Sequence, residues 1–234
     1  MKLSLCITTF NRTDMVIEAF EKVYDHELID EIIVVDDASE WSEYCKLSRL
    51  LDHKNKVKLF RNENNLGMSL NKKEAINKAK NEWCILFDSD NILYPEYLDA
   101  LKIVYDRQGF QSCFIYCPEY AEPDYDFSMF KKPIHKHNAK KYLDEKMFRV
   151  FLNTCNYVVN RDRYLDVYKT DESIKESDTI YFNYLWLKEG GTNFYIVPGM
   201  KYYHRRHEGS GWLNGDHRYN MKKAAELQDK IKNL

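Results

Sequence analysis

Short apolar runs alternate with amphipathic stretches along the first 93 residues of the chain. The apolar runs have the length of β-strands and cover residues 3–9, 31–37, 56–62 and 82–90. The stretches between them have helical periodicity and cover residues 13–24, 42–52 and 68–80. Strands that alternate with helices in this way predict a mostly parallel α/β sheet with right-handed crossovers.

The second half of the sequence is less regular. It predicts helices at 95–106, 143–152, 178–189 and 217–233, and strands at 111–117, 155–160, NFYIV and KYYH. Residues 118–138 hold three of the five prolines, which indicates a long loop or an irregular hairpin. Residues 204–216 hold three glycines and predict a mobile loop. Since no linker or repeat interrupts the pattern, we expect one domain over 1–234.

Composition and charge exclude several classes of protein. A hydrophobic fraction of 44% and an aromatic fraction of 15% allow a real core and exclude disorder for most of the chain. The net charge of −2, without a long basic arm, argues against nucleic-acid binding. No apolar run is long enough for a transmembrane helix, and the apolar N-terminus is too short for a signal peptide. The six cysteines include no CxxC pair, so we expect a cytoplasmic protein without a disulfide scaffold or zinc site.

Polar residues follow each of the first four predicted strands. The clusters are Thr8–Arg12, Asp36–Ser39, Asn62–Gly67 and Asp88–Asn91. In an open parallel sheet the carboxyl ends of the strands form one edge, and ligands bind there. The four clusters therefore predict one ligand site. The alternative is that they are ordinary turns built from turn-forming residues.

Asp88 and Asp90 lie two positions apart after a buried strand. Residues with this spacing point the same way on an extended segment. Two such carboxylates can hold Mg²⁺ or Mn²⁺ together with phosphate oxygens, so they indicate a diphosphate ligand. An acidic turn is the alternative, but two like charges beside the apolar WCILF run would be costly without a cation.

Asp36 and Asp37 follow the second strand in the same way. An acidic residue at this place often accepts hydrogen bonds from a base or a ribose. The alternative is that it caps the next helix, a role that Ser39 could also fill. The chain has neither GxGxxG nor GxxxxGK[ST], which argues against NAD or FAD binding and against a P-loop.

In order and spacing, these clusters resemble the successive motifs of glycosyltransferase family 2, the inverting enzymes with a GT-A fold. The matching segments are ITTFNR (7–12), IIVVDDAS (32–39), RNENNLG (61–67), KKEAINKAK (72–80) and FDSDNIL (87–93). A weaker match covers TDESIKESDTIYFNYLWLKEGG (170–191) and KYYHRRH. The resemblance implies a Rossmann-like, mostly parallel sheet flanked by helices. It also implies a nucleotide-sugar-binding half at 1–93 and an acceptor-binding half at 94–234.

The resemblance assigns nine residues to the nucleotide-sugar donor: Thr8, Phe10, Arg12, Asp37, Asn64, Gly67, Lys72, Asp88 and Ser89. The first three would line a pocket for uracil, and Asp37 would meet the base. Asp88 would lie near the ribose. Lys73 is the alternative to Lys72 for the lysine that approaches the nucleotide.

The resemblance makes Asp178 the catalytic base that takes a proton from the acceptor hydroxyl. The family has Glu-Asp at this point, whereas this chain has Ser177-Asp178, so Glu176 is a rival base. Asp178 could instead only favour the start of a helix through the helix dipole. Trp212, in the glycine-rich loop, could stack on a sugar or only anchor the loop.

A divalent ion, Mn²⁺ or Mg²⁺, is also implied by the resemblance. Asp90 and Asp88 would hold it, together with the late His204. His207, three residues further on, is the rival ligand. The ion would stabilise the negative charge that develops on the diphosphate leaving group.

The expected activity is metal-dependent transfer of a sugar, with inversion, from a UDP-sugar to a hydroxyl of a glycan, lipid-linked or protein acceptor. Three alternatives remain. A non-catalytic sugar-nucleotide or glycan-binding module would keep the fold but lose the base. A haloacid-dehalogenase-type phosphatase carries its DxD on the first strand, and a nucleotidyltransferase should start with a glycine-rich loop. Peripheral membrane attachment through the Lys-rich terminal helix (222–232) stays open.

Overall fold

The computed structural model describes residues 1–174, 177–207 and 217–234, and a mixed sheet of nine strands runs through these ranges. The strands are β1 Leu3–Thr9, β2 Ile29–Asp36, β3 Val57–Arg61, β4 Trp83–Asp88, β5 Ile92–Leu93, β6 Phe114–Glu122, β7 Tyr125–Asp126, β8 Tyr157–Asn160 and β9 Asn193–Tyr203. The helices are α1 Thr13–Phe20, α2 Trp41–Leu51, α3 Met68–Lys78, α4 Pro95–Gln108, α5 Lys136–Ala139, α6 Lys146–Leu152, α7 Arg161–Val167, α8 Asp178–Glu189 and α9 His217–Lys232. Short 3₁₀ turns follow α1 and α5.

The strand order is β3-β2-β1-β4-β8-β6-β9-β5, with β7 paired to β6. Strands β1 to β4 are parallel where they pair, and β8 is antiparallel to both of its neighbours, β4 and β6. Strand β6 therefore runs in the direction of β4, and β9 is parallel to β6. The carboxyl ends of these six strands share one edge, whereas β8 starts at that edge.

Strand β1 lies at the centre of the parallel part and has β2 on one side and β4 on the other. The chain changes its direction of winding here, which is where open α/β sheets form a ligand crevice. Residues Leu3 to Ile7 are fully buried, because helices cover both faces of such a sheet. This burial explains why the first strands read as nearly continuous apolar runs.

The observed elements differ from the predicted ones in the second half. Of the two predictions for residues 118–138, the irregular hairpin is the one observed, since β6 extends to Glu122 and pairs antiparallel with β7; the helix α5 that follows was not predicted. NFYIV and the KYY of KYYH form one strand, β9, which ends at Tyr203 and has a register shift near Pro198-Gly199. Pro198 has no N–H to donate and Gly199 has a φ of 78°, which together account for this irregularity. Helix α7 was not predicted.

In the part of the chain that the structure describes, no helix combines the length and the apolar character that crossing a bilayer requires.

Glu31 forms a polar cluster at the amino edge of the sheet. Its side chain is 2% exposed and accepts hydrogen bonds from the Ser4 hydroxyl at 2.6 Å, the Lys58 ammonium at 2.8 Å and the Lys80 backbone N–H at 2.7 Å. Burial alone would raise the pKa of Glu31, but these three donors outweigh it and lower the pKa below its ordinary value. The cluster ties β1, β2, β3 and the end of α3 together.

We expect Glu31→Gln to lower the free energy of unfolding by about 1–3 kcal/mol at pH 7, because buried donors lose a charged acceptor. A lowered folded-state pKa contributes stability above the unfolded-state pKa of about 4.3, and this contribution is lost as the pH falls. The difference from wild type should therefore shrink towards pH 3 in urea titrations. Exposed Glu63→Gln is the control and should change little. A pH-independent difference would contradict the assignment.

Candidate active site

The loops after β1 and β2 are joined by reciprocal hydrogen bonds. The Asn11 N–H donates to the Ser39 hydroxyl at 2.8 Å, and the Glu40 N–H donates to Asn11 Oδ1 at 2.8 Å. Asn11 has a φ of 53°, which turns its side chain back to the second loop. The structure thus brings the first two predicted clusters together. Phe10, in the first of them, is 46% exposed.

The two acids after β2 make different contacts. Asp36 forms an ion pair with Arg61 at 2.7 Å and accepts the Ser39 N–H at 3.1 Å, and the alternative that an acid or Ser39 caps the next helix is wrong, since the N-cap of α2 is Glu40 and no side chain caps it. Asp37 accepts hydrogen bonds from the N–H groups of Leu66 and Gly67, both at 2.9 Å.

The Asn62 amide adds a third bond to Asp37 at 2.8 Å. A carboxylate offers about four acceptor sites, so Asp37 keeps some capacity for a ligand. Asp37 therefore shapes the third loop at the start of α3, where Gly67 has a φ of 82°. Asn64 is exposed in that loop. The contact of Asp37 with a base stays a prediction.

Lys72 lies at the centre of the site. Its side chain is 9% exposed, and its ammonium lies 2.8 Å from Asp178 Oδ2 and 3.3 Å from Asp88 Oδ1. It also reaches the Thr179 hydroxyl at 3.3 Å. Helix α3 thus places one buried cation between the first acid of the DxD and the predicted base at the start of α8.

The pKa values of Lys72 and Asp88 are both shifted in the direction that favours the charged form. Burial alone would lower the pKa of Lys72, but the carboxylates of Asp178 and Asp88 outweigh it and hold the pKa well above its ordinary value. Burial alone would raise the pKa of Asp88, but the Lys72 ammonium and the Cys155 thiol outweigh it and lower the pKa. Lys72 is therefore a cation and Asp88 an anion at neutral pH.

Asp88 has two further partners that the sequence did not predict. The Cys155 thiol donates to Asp88 Oδ2 at 3.0 Å, and the Asn156 amide donates to the same oxygen at 3.3 Å. Asn156 Oδ1 also accepts the Asp88 backbone N–H at 2.8 Å. The sequence shows these two residues only as the start of a predicted strand, which begins at Tyr157 in the structure.

Asp90 contacts a different set of side chains. Its Oδ2 lies 2.8 Å from Arg12 Nη1 and 3.0 Å from His207 Nε2. The buried Asn91 accepts the Arg205 N–H at 3.1 Å, which ties the segment after β9 to the DxD. Ser89 is also buried.

His204, which we expected at the metal, lies beside a different acid. Its Nδ1 is 2.7 Å from Asp124 Oδ2, and Arg206 contacts the other oxygen of Asp124 at 2.6 Å. The structure thus brings His207 to the DxD and places His204 against Asp124. Asp124 stands at the turn between β6 and β7, and no sequence motif pointed to it.

The side chains at the DxD fit a hard divalent ion that also takes oxygens from a ligand. Asp90 Oδ2 and His207 Nε2 are 3.0 Å apart, about the separation of neighbouring ligands around an octahedral ion at roughly 2.1 Å. Within residues 1–174, 177–207 and 217–234, no group of three or more His, Cys, Asp and Glu is arranged to hold a metal. Such an ion would need phosphate or water oxygens to complete its shell.

Two residues singled out in the sequence, Glu176 and Trp212, lie outside the described residues. The rival base and the predicted stacking residue are therefore not placed.

Comparison with known families decides the class of the protein. The family model described as Glycosyl transferase family 2 matches residues 4–158, which include the four strand-end clusters and the Cys155-Asn156 pair. The chain belongs to glycosyltransferase family 2. Membership of this family supports a glycosyltransferase enzyme, as expected, and argues against the phosphatase and nucleotidyltransferase alternatives.

Solved structures match this family 2 chain over nearly its whole length. S. aureus TarS 1–349 in complex with UDP-GlcNAc has a TM-score of 0.70 at 17% identity, over 99% of this chain and 70% of that one. The complex of TarS 1–349 with UDP has a TM-score of 0.69 at 16% identity, over 99% and 65%. The structure of S. aureus TarS has a TM-score of 0.68 at 16% identity, over 97% of this chain and 39% of the TarS chain. This chain therefore spans less than two thirds of the length of the TarS chains in the last two structures.

These matches confirm the predicted fold, a mostly parallel GT-A sheet flanked by helices. The search of curated proteins finds no match.

We expect Lys72→Met to lower the free energy of unfolding by about 2–4 kcal/mol at pH 7, because it leaves two carboxylates facing each other without their cation. The double variant Lys72→Met/Asp178→Asn should recover part of this loss, since one of the two charges is then removed. Urea denaturation measures both.

Lys73→Met is the matched control on the same helix. Its ammonium lies over the Tyr168 ring at 5.3 Å from the centroid, and its loss should cost less than about 1 kcal/mol. Equal effects at positions 72 and 73 would contradict the central role of Lys72.

Proposed function

We propose that this enzyme transfers a sugar from a UDP-sugar to an acceptor hydroxyl, with inversion and with the help of Mn²⁺ or Mg²⁺. The observation that carries the proposal is the Lys72 ammonium between Asp88 and Asp178. It joins the part of the site expected to hold the donor to the carboxylate expected to act as base.

The donor is proposed to bind at residues 1–93, and residues 94–234 would shape the acceptor site. Two matching TarS structures contain UDP-GlcNAc and UDP, which supports a uridine nucleotide here. Thr8, near the end of β1, and Phe10 and Arg12, in the segment that follows, are proposed to contact the nucleotide. The remaining proposed donor contacts are Asp37, Asn64, Gly67, Lys72, Asp88 and Ser89.

A divalent ion would be held by Asp90 and His207, with Asp88 on the same segment. When bound, it would supply positive charge to the diphosphate leaving group. This assignment replaces our preference for His204, because His207 is the imidazole that contacts Asp90. Arg12 adds a fixed positive charge at the same oxygen of Asp90.

Asp178 is proposed to take the proton of the acceptor hydroxyl as that hydroxyl attacks the anomeric carbon. Its side chain is 6% exposed at the start of α8 and lies 2.8 Å from the Lys72 ammonium. Attack from the face opposite the diphosphate inverts the anomeric carbon. The acceptor is proposed to be a hydroxyl of a glycan, a lipid-linked molecule or a protein.

We expect UDP to raise the melting temperature by several degrees when Mn²⁺ is present. A ligand at about 100 times its Kd adds roughly 2.7 kcal/mol, which is a shift of this size in a domain of this length. GDP, CDP and dTDP, each with and without Mn²⁺, test the choice of nucleotide. Asp90→Asn should weaken the dependence on Mn²⁺. If none of the four nucleotides stabilises the protein with metal present, the proposed donor is wrong.

We expect Asp178→Asn to reduce UDP release from a UDP-sugar by at least about 100-fold, because the acceptor proton loses its base. The shift in melting temperature with UDP should remain, since the donor contacts are kept. Glu176→Gln is the control and should retain most of the activity. The reverse pattern would identify Glu176 as the base, and full activity in both variants would refute a carboxylate base at this segment.

A further inference from the structure

Asn156 has an unusual backbone conformation at a buried position. Its φ is 43°, in the left-handed region that residues other than glycine rarely adopt, and the residue is 2% exposed. Asn tolerates this region better than most residues, but at a cost of about 1 kcal/mol. Such a conformation persists only where its surroundings hold it, so its contacts should explain it.

The side-chain amide of Asn156 makes two hydrogen bonds to Asp88. Its side chain accepts the Asp88 N–H at 2.8 Å through Oδ1 and donates to Asp88 Oδ2 at 3.3 Å through Nδ2. The amide thus fixes both the backbone and the carboxylate of Asp88. The neighbouring Cys155 thiol donates to the same Oδ2 at 3.0 Å.

Tyr97 contacts the backbone of Asn156. The Tyr97 hydroxyl donates to the Asn156 carbonyl at 2.8 Å, and Tyr97 is fully buried in the first turn of α4. Tyr97 and Asn156 therefore connect the start of α4, the start of β8 and the end of β4. This connection keeps the left-handed turn in place.

We propose that Asn156 is a positioning residue that fixes the Asp88 carboxylate, with Oδ2 turned to Cys155 and Asn156 and Oδ1 turned to Lys72. The proposal rests on the proposed function, in which Asp88 contacts the donor. Rotation of the carboxylate would also break the bond to Lys72 at 3.3 Å and so disturb the partner of Asp178. The Asn156 side chain, which is not among the proposed donor contacts, would thus orient Asp88 directly and the Lys72–Asp178 pair indirectly.

Two substitutions separate positioning from mere structural support. Asn156→Gly removes the amide but relieves the left-handed strain, so the fold should tolerate it. Asn156→Asp keeps the shape and the acceptor for the Asp88 N–H, but it places a second carboxylate against Oδ2. Positioning predicts that the Asp variant harms donor binding more than the Gly variant does, whereas structural support predicts the reverse.

The probe is UDP with Mn²⁺, and the Kd is measured by calorimetry. We expect the Kd to rise about tenfold in Asn156→Gly and about a hundredfold in Asn156→Asp, because a charge-assisted hydrogen bond is lost in the first and replaced by repulsion in the second. Asn160, at the other end of β8, provides the matched control. It accepts the Arg163 N–H at 3.1 Å and donates to Glu82, so Asn160→Gly and Asn160→Asp should leave the Kd unchanged.

Wild-type Kd values in both Asn156 variants would overturn the proposal. Losses of UDP affinity that only parallel the drop in melting temperature of each variant would overturn it too. If wild-type protein does not bind UDP, the proposed function fails, and a measurement without ligand decides the positioning role. In urea unfolding, Asn156→Gly and Asp88→Ala should then be less than additive in the double variant, because they remove the same contact. Additive effects would refute the contact as a determinant of Asp88.

Discussion

A buried ammonium needs negative partners, and Lys72 imposes this requirement on three parts of the chain. It draws the end of β4 and the start of α8 towards helix α3, through Asp88 and Asp178. Residues 72, 88 and 178 are far apart in sequence, so the fold has to be complete before the cation is neutralised. Stability and chemistry are therefore linked at this point, because the same contacts neutralise a buried charge and hold the carboxylate of the proposed base in place.

Hydrogen bonds and ion pairs to carboxylates position much of the rest of the site. Asp37 organises the loop before α3 through two backbone N–H groups, and Asp90 gathers Arg12 and His207. Asp88 is held from the opposite side by Asn156. Each acid of the site thus has its orientation set within the chain, and the donor would meet a surface whose charges are already fixed.

The sequence predicted the parallel strands, their polar ends and the family, because each strand is a continuous apolar run that ends in turn residues. It did not predict Cys155, Asn156 or Asp124, since their importance comes from pairing between distant segments and from one left-handed backbone angle. The choice between His204 and His207 depends on how the chain leaves β9, which spacing alone does not determine. Helix α7, Arg161–Val167, was not predicted.

The reversed direction of β8 has a consequence for where functional residues are found along the chain. The residues that follow a parallel strand lie at the carboxyl edge of the parallel strands. Because β8 runs in the opposite direction, the residues that precede it lie at that edge. One reversed strand therefore places Cys155 and Asn156, the two residues that precede it, against Asp88 at this edge. A substitution at either residue would change the contacts of Asp88 without altering the loops after β1, β2 and β3, so the DxD and these loops could diverge separately during evolution.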